Sequence, residues 1–193
     1  MTTIDEVQTA NAAYAAGFEK GDLAMPPARH FVVVTCMDAR LDPAKFLGLE
    51  EGDAHVIRNA GGIVNDETMR SLLISHHLLG TQEAIVIGHT DCGMVTFTND
   101  DVHAKLGPES ESIDFQPFPD AAERVRQSVA TIESSSLLPD SFRATGYVYE
   151  VESGKIVAVN QFTGCSGGRF GSFSRTAARA RDADAQRWWP SAT

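Results

Sequence analysis

Cysteine is scarce in this sequence. The three residues, Cys36, Cys92 and Cys165, are an odd number that excludes a fully paired disulfide framework. No apolar run approaches the roughly 20 residues needed to span a bilayer, so no membrane segment is expected. Met1-Thr2-Thr3-Ile4-Asp5-Glu6 is polar and acidic, without the cationic start and apolar stretch of a secretory signal. A reducing, cytoplasmic location is therefore expected. Positive charge is also short: residues 1–159 hold 11 Lys and Arg against 24 Asp and Glu. A body this acidic, with no basic stripe interleaved with aromatics, repels nucleic acid and anionic membranes. No internal repeat is present. At 193 residues and 42% hydrophobic composition, the chain fits one globular domain with a sizeable core.

Two segments about fifty residues apart organise the rest. Thr35-Cys36-Met37-Asp38-Ala39-Arg40 follows the run His30-Phe31-Val32-Val33-Val34, and Gly88-His89-Thr90-Asp91-Cys92-Gly93 follows Ala84-Ile85-Val86-Ile87. Short Val/Ile-rich runs of this kind read as strands buried on both faces of a parallel sheet. Ligand sites in such sheets form outside the carboxyl ends of the strands. Cys36, His89 and Cys92 are expected there together, as ligands of one metal ion, most simply zinc.

Residues 3–20 read as an amphipathic helical arm with Ile4, Val7, Tyr14 and Phe18 on one stripe and Asn11 as its polar member. Periodicity alone leaves open whether that stripe packs on its own domain or on a second subunit. Asp42-Pro43 reads as a helix cap and first helical position, followed by a short helix from Ala44 to Leu49. Residues 54–58 form a second strand. It ends in Asn59-Ala60-Gly61-Gly62, where glycines let backbone approach a ligand closely. Gly61, Gly62 and Val64 are accordingly assigned to the pocket wall. A helix from the Asn65 cap to about Leu79 carries apolar residues on two faces, a surface that calls for burial on most sides, one face against the sheet and the other against a partner subunit. His76 and His77 on it are read as structural. Residues 99–119 lack periodicity and read as a long loop. A helix follows over 120–133 with Ala121, Val125, Val129 and Ile132 inward, and residues 145–159 read as an edge hairpin about Ser153-Gly154. The expected architecture is α/β: a central, mostly parallel sheet flanked by helices, with an N-terminal helical arm and an edge hairpin strand. Residues 1–160 form this domain; 161–193, glycine- and serine-rich and then Ala/Arg/Asp-rich, read as a disordered tail with Cys165 a free thiol.

Structural zinc sites are closed by four protein ligands, whereas catalytic sites keep one position for water. Cys36, His89 and Cys92 supply three, and the fourth position falls to water or to the carboxylate of Asp38. Iron–sulfur clusters want four cysteines. A dication with two thiolates is neutral, so a bound hydroxide would bring the site to −1, and Arg40 lies two residues from Asp38. If residues 36–40 are extended, Cys36, Asp38 and Arg40 share one side. Arg40 can then hold Asp38 in a bidentate pair. That pairing draws the carboxylate off the metal, leaves the fourth position to water, and lets Asp38 accept a hydrogen bond from zinc-bound hydroxide. A proton route is also needed; His30, His55 and His103 are candidates between which the sequence does not choose.

At these residues the chain resembles the β-class carbonic anhydrases. The resemblance rests on Cys36-x-Asp38-x-Arg40 and His89-x-x-Cys92, with Val56-Ile57-Arg58-Asn59-Ala60-Gly61 and residues 88–93 in support, and covers roughly residues 3–160. It is strongest to the compact archaeal and mycobacterial branch; the plant-type pocket's glutamine and aromatics have no clear counterpart. The resemblance implies one Zn²⁺ per subunit on Cys36, His89 and Cys92, with Asp38 and Arg40 as the catalytic dyad. It implies reversible hydration of CO₂ to bicarbonate and a proton. It further implies a homodimer or homotetramer whose N-terminal helix embraces the neighbour. A second bicarbonate site built on tryptophan, found in some relatives, is not expected, because Trp188 and Trp189 both lie in the tail. Two alternatives stay in view: hydrolysis of CS₂ or COS on the same fold, and a non-enzymatic zinc-dependent assembly protein.

Overall fold

The structure, a computed structural model, describes residues 1–159. β-Branched side chains favour extended backbone, and the Val/Ile runs form β1 (Phe31–Cys36), β2 (His55–Asn59) and β3 (Glu83–His89). With β4 (Arg143–Tyr149) and β5 (Ile156–Ala158) they make one sheet in the order β2-β1-β3-β4-β5. The first four strands are parallel, and β5 runs antiparallel to β4 at the edge. All six residues of β1 are buried, as a strand covered on both faces requires.

Among the described residues five α-helices accompany the sheet: α1 (Thr3–Ala16), α2 (Pro43–Leu47), α3 (Asp66–His77), α4 (Asn99–Leu106) and α5 (Ala121–Glu133). From β1 the chain passes to β2 on one side, then returns beyond β1 to β3 on the other. The strand order therefore reverses between β1 and β3, and the crevice at their carboxyl ends is where a ligand site forms in such sheets. The register Thr35↔Ile87 brings Cys36 and His89 to the same edge on neighbouring strands.

Side chains from the sheet, α3 and α5 form one core cluster, which includes Val32, Val34, Leu72, Val86, Val125, Val129, Ile132 and Phe142. Helix α5 packs closely because β3 and β4 present glycines to it: a Cβ on Gly88 or Gly146 would lie 2.8 or 2.6 Å from Val125. On the opposite face Phe31, Val33 and Ile87 meet Phe46, Leu47 and Leu49. Leu72 is fully buried. Leu72→Ala is expected to cost about 3 kcal/mol through lost burial and a residual cavity. At ~2–4 °C per kcal/mol for a chain of this size, the melting temperature should fall by about 10 °C; a fall under 3 °C would contradict this packing.

Several expectations need correction. The arm ends at Ala16, because Gly17 caps it, and none of its residues is buried. α2 stops at Gly48, whose left-handed backbone (φ 62°) caps it. α3 buries Thr68, Leu72 and Ser75 and leaves Ile74 and Leu78 exposed within the described chain, the face expected to meet a partner subunit. Residues 99–119 are not one loop. Thr98 and Asp101 cap one another's backbone reciprocally and start α4, and Pro108–Ser110 adds a 3₁₀ turn. The expected tail, residues 161–193 with Cys165 and both tryptophans, lies outside the described residues. Among the described residues no helix is long and apolar enough to cross a membrane.

Candidate metal centre

Cys36 ends β1, His89 ends β3, and Cys92 follows in the turn after β3. All three are buried, and their ligand atoms lie within 4.8 Å of one another. Both sulfurs sit in an apolar cluster with Leu41, Ile63, Met94 and Phe118. His89 Nδ1 is 2.8 Å from the Thr90 carbonyl, which makes it the protonated nitrogen and leaves a lone pair on Nε2. Nε2 is buried and has no hydrogen-bond partner. A buried nitrogen without a hydrogen-bond partner is costly, and together with the two thiols it faces it makes the donor set that zinc accepts.

Shared protons tell the same story. The Cys36 thiol is held well below its ordinary range, chiefly by a hydrogen bond from Cys92 and further by His89 and by the Gly61 N–H at 3.4 Å, against burial. The Cys92 thiol is pushed up, first by that same bond to Cys36 and then by burial. Burial draws His89 downward, but the Cys36 sulfur, the Thr90 carbonyl and Asp38 raise it on balance. The two sulfurs thus compete for one proton, which a cation would replace.

Asp38 and Arg40 meet as a bidentate pair, but not through an extended segment. Met37 N–H makes the last bond to β2, to the Asn59 carbonyl at 2.9 Å, and a turn then closes with Leu41 N–H donating to the Asp38 carbonyl at 3.0 Å. The Asp38 side chain accepts from the Arg40 backbone N–H at 2.9 Å, so the turn itself brings the two side chains together. Arg40 Nε then donates to Asp38 Oδ1 at 3.0 Å and a terminal nitrogen to Oδ2 at 2.8 Å. These bonds hold the Asp38 carboxyl far below the usual carboxylate range. Asp38 Oδ2 lies 3.9 Å from His89 Nε2, at the rim of the three ligand atoms.

Arg58 goes unassigned in the sequence reading, yet it fixes the ligand loop. Its guanidinium donates to the carbonyls of Cys36 at 3.0 Å and Asp38 at 2.7 Å. A cation at the end of β2, opposite Thr35 in register, was the available signal. Asn59 shapes the glycine turn: its amide bonds the Ile63 backbone in both directions at 2.8 Å and reaches Thr68 at 2.9 Å. Gly61 and Gly62 lie against Cys36, whereas Val64 is a core residue beside a cleft that also reaches Asn65, Gln116 and Arg124. Of the proton-route candidates, His55 bonds Ser75 at 2.8 Å, His30 precedes β1, and His103 bonds the Ile113 carbonyl at 2.9 Å. The first two stand at the amino-terminal side of the sheet, opposite the metal centre. His76 and His77 bond the carbonyls of Thr81 and Leu137, as structural residues do.

The model of the family described as carbonic anhydrase matches residues 31–137, a span that contains Cys36, Asp38, Arg40, His89 and Cys92. "Beta-carbonic anhydrase 1" of Mycobacterium tuberculosis is 47% identical over 159 residues, covering 81% of this chain and 97% of that protein. The chain belongs to the β-carbonic anhydrase family. A solved structure of carbonic anhydrase from Streptococcus mutans, 41% identical, superposes with a TM-score of 0.78 over 83% of this chain and 99% of that one. A "Carbon disulfide hydrolase" of Acidianus sp. is 36% identical, covering 71% of this chain and 80% of its own length. As a β-carbonic anhydrase the chain is a zinc enzyme, and Cys36, His89 and Cys92 are positioned as its zinc site.

Proposed function

We propose that this chain catalyses the reversible hydration of CO₂ to bicarbonate and a proton, with Cys36, His89 and Cys92 holding zinc and Asp38 and Arg40 acting beside it. The observation that carries the reading is the bare Nε2 of His89 facing two sulfurs, with Asp38 at their rim drawn away by Arg40. When bound, zinc supplies Lewis acidity that lowers the pKa of water toward neutrality, an effect for which carbonic anhydrase is itself the reference case. Asp38, ionised throughout the physiological range, is an acceptor only. It takes a hydrogen bond from the attacking water and aims that water's lone pair. Arg40 keeps Asp38 charged and turned from the metal, and Arg58 keeps the Cys36–Asp38 backbone in place. Ile63, Met94 and Phe118 make the wall beside the sulfurs apolar, which suits a small substrate without a dipole and excludes bulk water. Gly61 and Gly62, which lie against Cys36, complete that wall, while Val64 packs in the core behind them.

The catalytic unit is residues 1–160, and a second copy completes its fold. Ile4, Val7 and Tyr14 on the arm and Phe18 just beyond it are 46–65% exposed, and Tyr14 reaches its own domain through a hydrogen bond to Glu51 at 2.8 Å. An apolar stripe left this open is covered by a neighbouring subunit in a dimer or tetramer.

Stopped-flow CO₂ hydration on zinc-loaded protein tests the activity. Rates well above buffer are expected, with Asp38→Ala lowering kcat/KM by about 10²-fold, the usual scale of one positioned proton acceptor. A rate equal to buffer for the loaded wild type overturns the reading. A higher kcat/KM for CS₂ or COS than for CO₂ in a competition assay replaces the substrate.

A further inference from the structure

Arg40 is gripped by two carboxylates. Besides its pair with Asp38, Nη1 donates to Asp91 Oδ2 at 2.7 Å, and Nη2 donates to the Asp91 carbonyl at 2.8 Å. Asp91 sits between His89 and Cys92 with φ at 54°, one of three described non-glycine residues with positive φ. That left-handed turn is what aims both its carbonyl and its carboxylate at one guanidinium. Aspartate is among the few side chains that tolerate it.

The consequence for Asp38 is geometric. Asp38 and Arg40 belong to a single turn and could swing together toward the ligand atoms, of which His89 Nε2 lies 3.9 Å from Asp38 Oδ2. Asp91 belongs to the other ligand-bearing strand end, so its two bonds tie the guanidinium to a second, independent element. The four bonds then fix Arg40 in the one orientation that meets both Asp38 oxygens. A carboxylate beside a dication binds it unless something else holds both its oxygens. The Asp91 side chain is 75% exposed, so simple charge attraction is screened. What the residue contributes is orientation.

We propose that Asp91 is a positioning residue: it holds Arg40 so that Asp38 stays off the metal and the fourth coordination position remains free for exogenous ligands. This rests on the zinc-site reading above and assigns a role to a residue outside the ligand set and the dyad. The sign of its effect separates it from plain electrostatics. Removing the Asp91 charge would by Coulomb's law strengthen binding of an anion at the metal. The positioning role demands the reverse, because a released Asp38 competes for that position.

The test is azide titration of cobalt(II)-substituted full-length protein at pH 8, read in the visible spectrum. Asp91→Gly keeps the left-handed turn and the carbonyl contact while deleting the carboxylate. It is expected to weaken azide binding at least tenfold, with cobalt stoichiometry and melting temperature close to wild type. Asp91→Asn, which retains an acceptor for Nη1, should lose less; it also carries the test if the glycine variant does not fold. In the Asp38→Ala background Asp91→Gly should no longer weaken azide binding, since no carboxylate remains to compete. Unchanged or tighter azide binding in metal-loaded Asp91→Gly or Asp91→Asn overturns the proposal alone. Wild-type protein that takes up no cobalt overturns the metal-site reading, and this role with it.

Discussion

Cys92→Ser is expected to release the metal and reduce CO₂ hydration to the rate of buffer. The replacement is nearly isosteric, and the site is buried and preformed, so the fold itself should tolerate it. The donor changes in kind. A thiolate is soft and becomes available near neutral pH, whereas a serine hydroxyl keeps its proton and is a poor zinc ligand. With two protein donors left, zinc affinity should fall by at least about 10³-fold, given the 10–16 kcal/mol that a full structural set supplies. Zinc stoichiometry by atomic emission after dialysis against a weak chelator measures this directly, and circular dichroism checks the fold. A Cys92→Ser protein that retains one zinc per chain and wild-type hydration would show that the metal sits elsewhere.

The site was far more legible in the sequence than some of the elements that frame it. β1 and β3 declare themselves because a strand buried on both faces has no polar alternation to confuse with a helix, and the ligands sit at their ends. The dyad was legible as a pair but not in its geometry. An extended segment and an Asp-led turn both bring Asp38 near Arg40, and only the Leu41 to Asp38 bond distinguishes them. α4 was missed because its residues alternate apolar and charged without a stripe. Its signal was the Thr98-x-x-Asp101 cap, with aspartate where glutamate is the usual partner. Asp91 and Arg58 stood within the quoted motifs and still had no role. Their partners are a guanidinium 51 residues away and two backbone carbonyls at the end of a neighbouring strand and in the turn after it, contacts that spacing along the chain does not encode.

Gly62→Ala should be the most damaging methyl that can be added to this fold. Gly62 has φ at 64°, in the region that strains any residue with a Cβ. Its backbone also lies directly against the end of β1. A Cβ would come within 2.9 Å of both the Cys36 nitrogen and the Thr35 carbonyl carbon, and 3.1 Å from the Thr35 Cα. These are backbone atoms of a central strand bonded on both sides, at Thr35↔Arg58 and Thr35↔Ile87, so they cannot rotate away as a side chain would. Strain of roughly 1–2 kcal/mol from the left-handed backbone adds to roughly 1–3 kcal/mol from overpacking. The total is about 2–5 kcal/mol, or a melting temperature lower by on the order of 10 °C. Relief comes most easily by moving the 59–63 turn outward, which takes the Gly61 N–H off the Cys36 sulfur and alters the wall beside the metal. Calorimetry on metal-free protein should therefore show the full loss, and zinc-loaded protein should show weaker metal affinity as well. The same substitution at Gly48 supplies the control: its φ is 62°, but nothing lies within 4 Å of its would-be Cβ, so backbone strain acts there alone. Equal losses at the two positions would mean that contact with β1 contributes nothing and that turn conformation accounts for the whole effect.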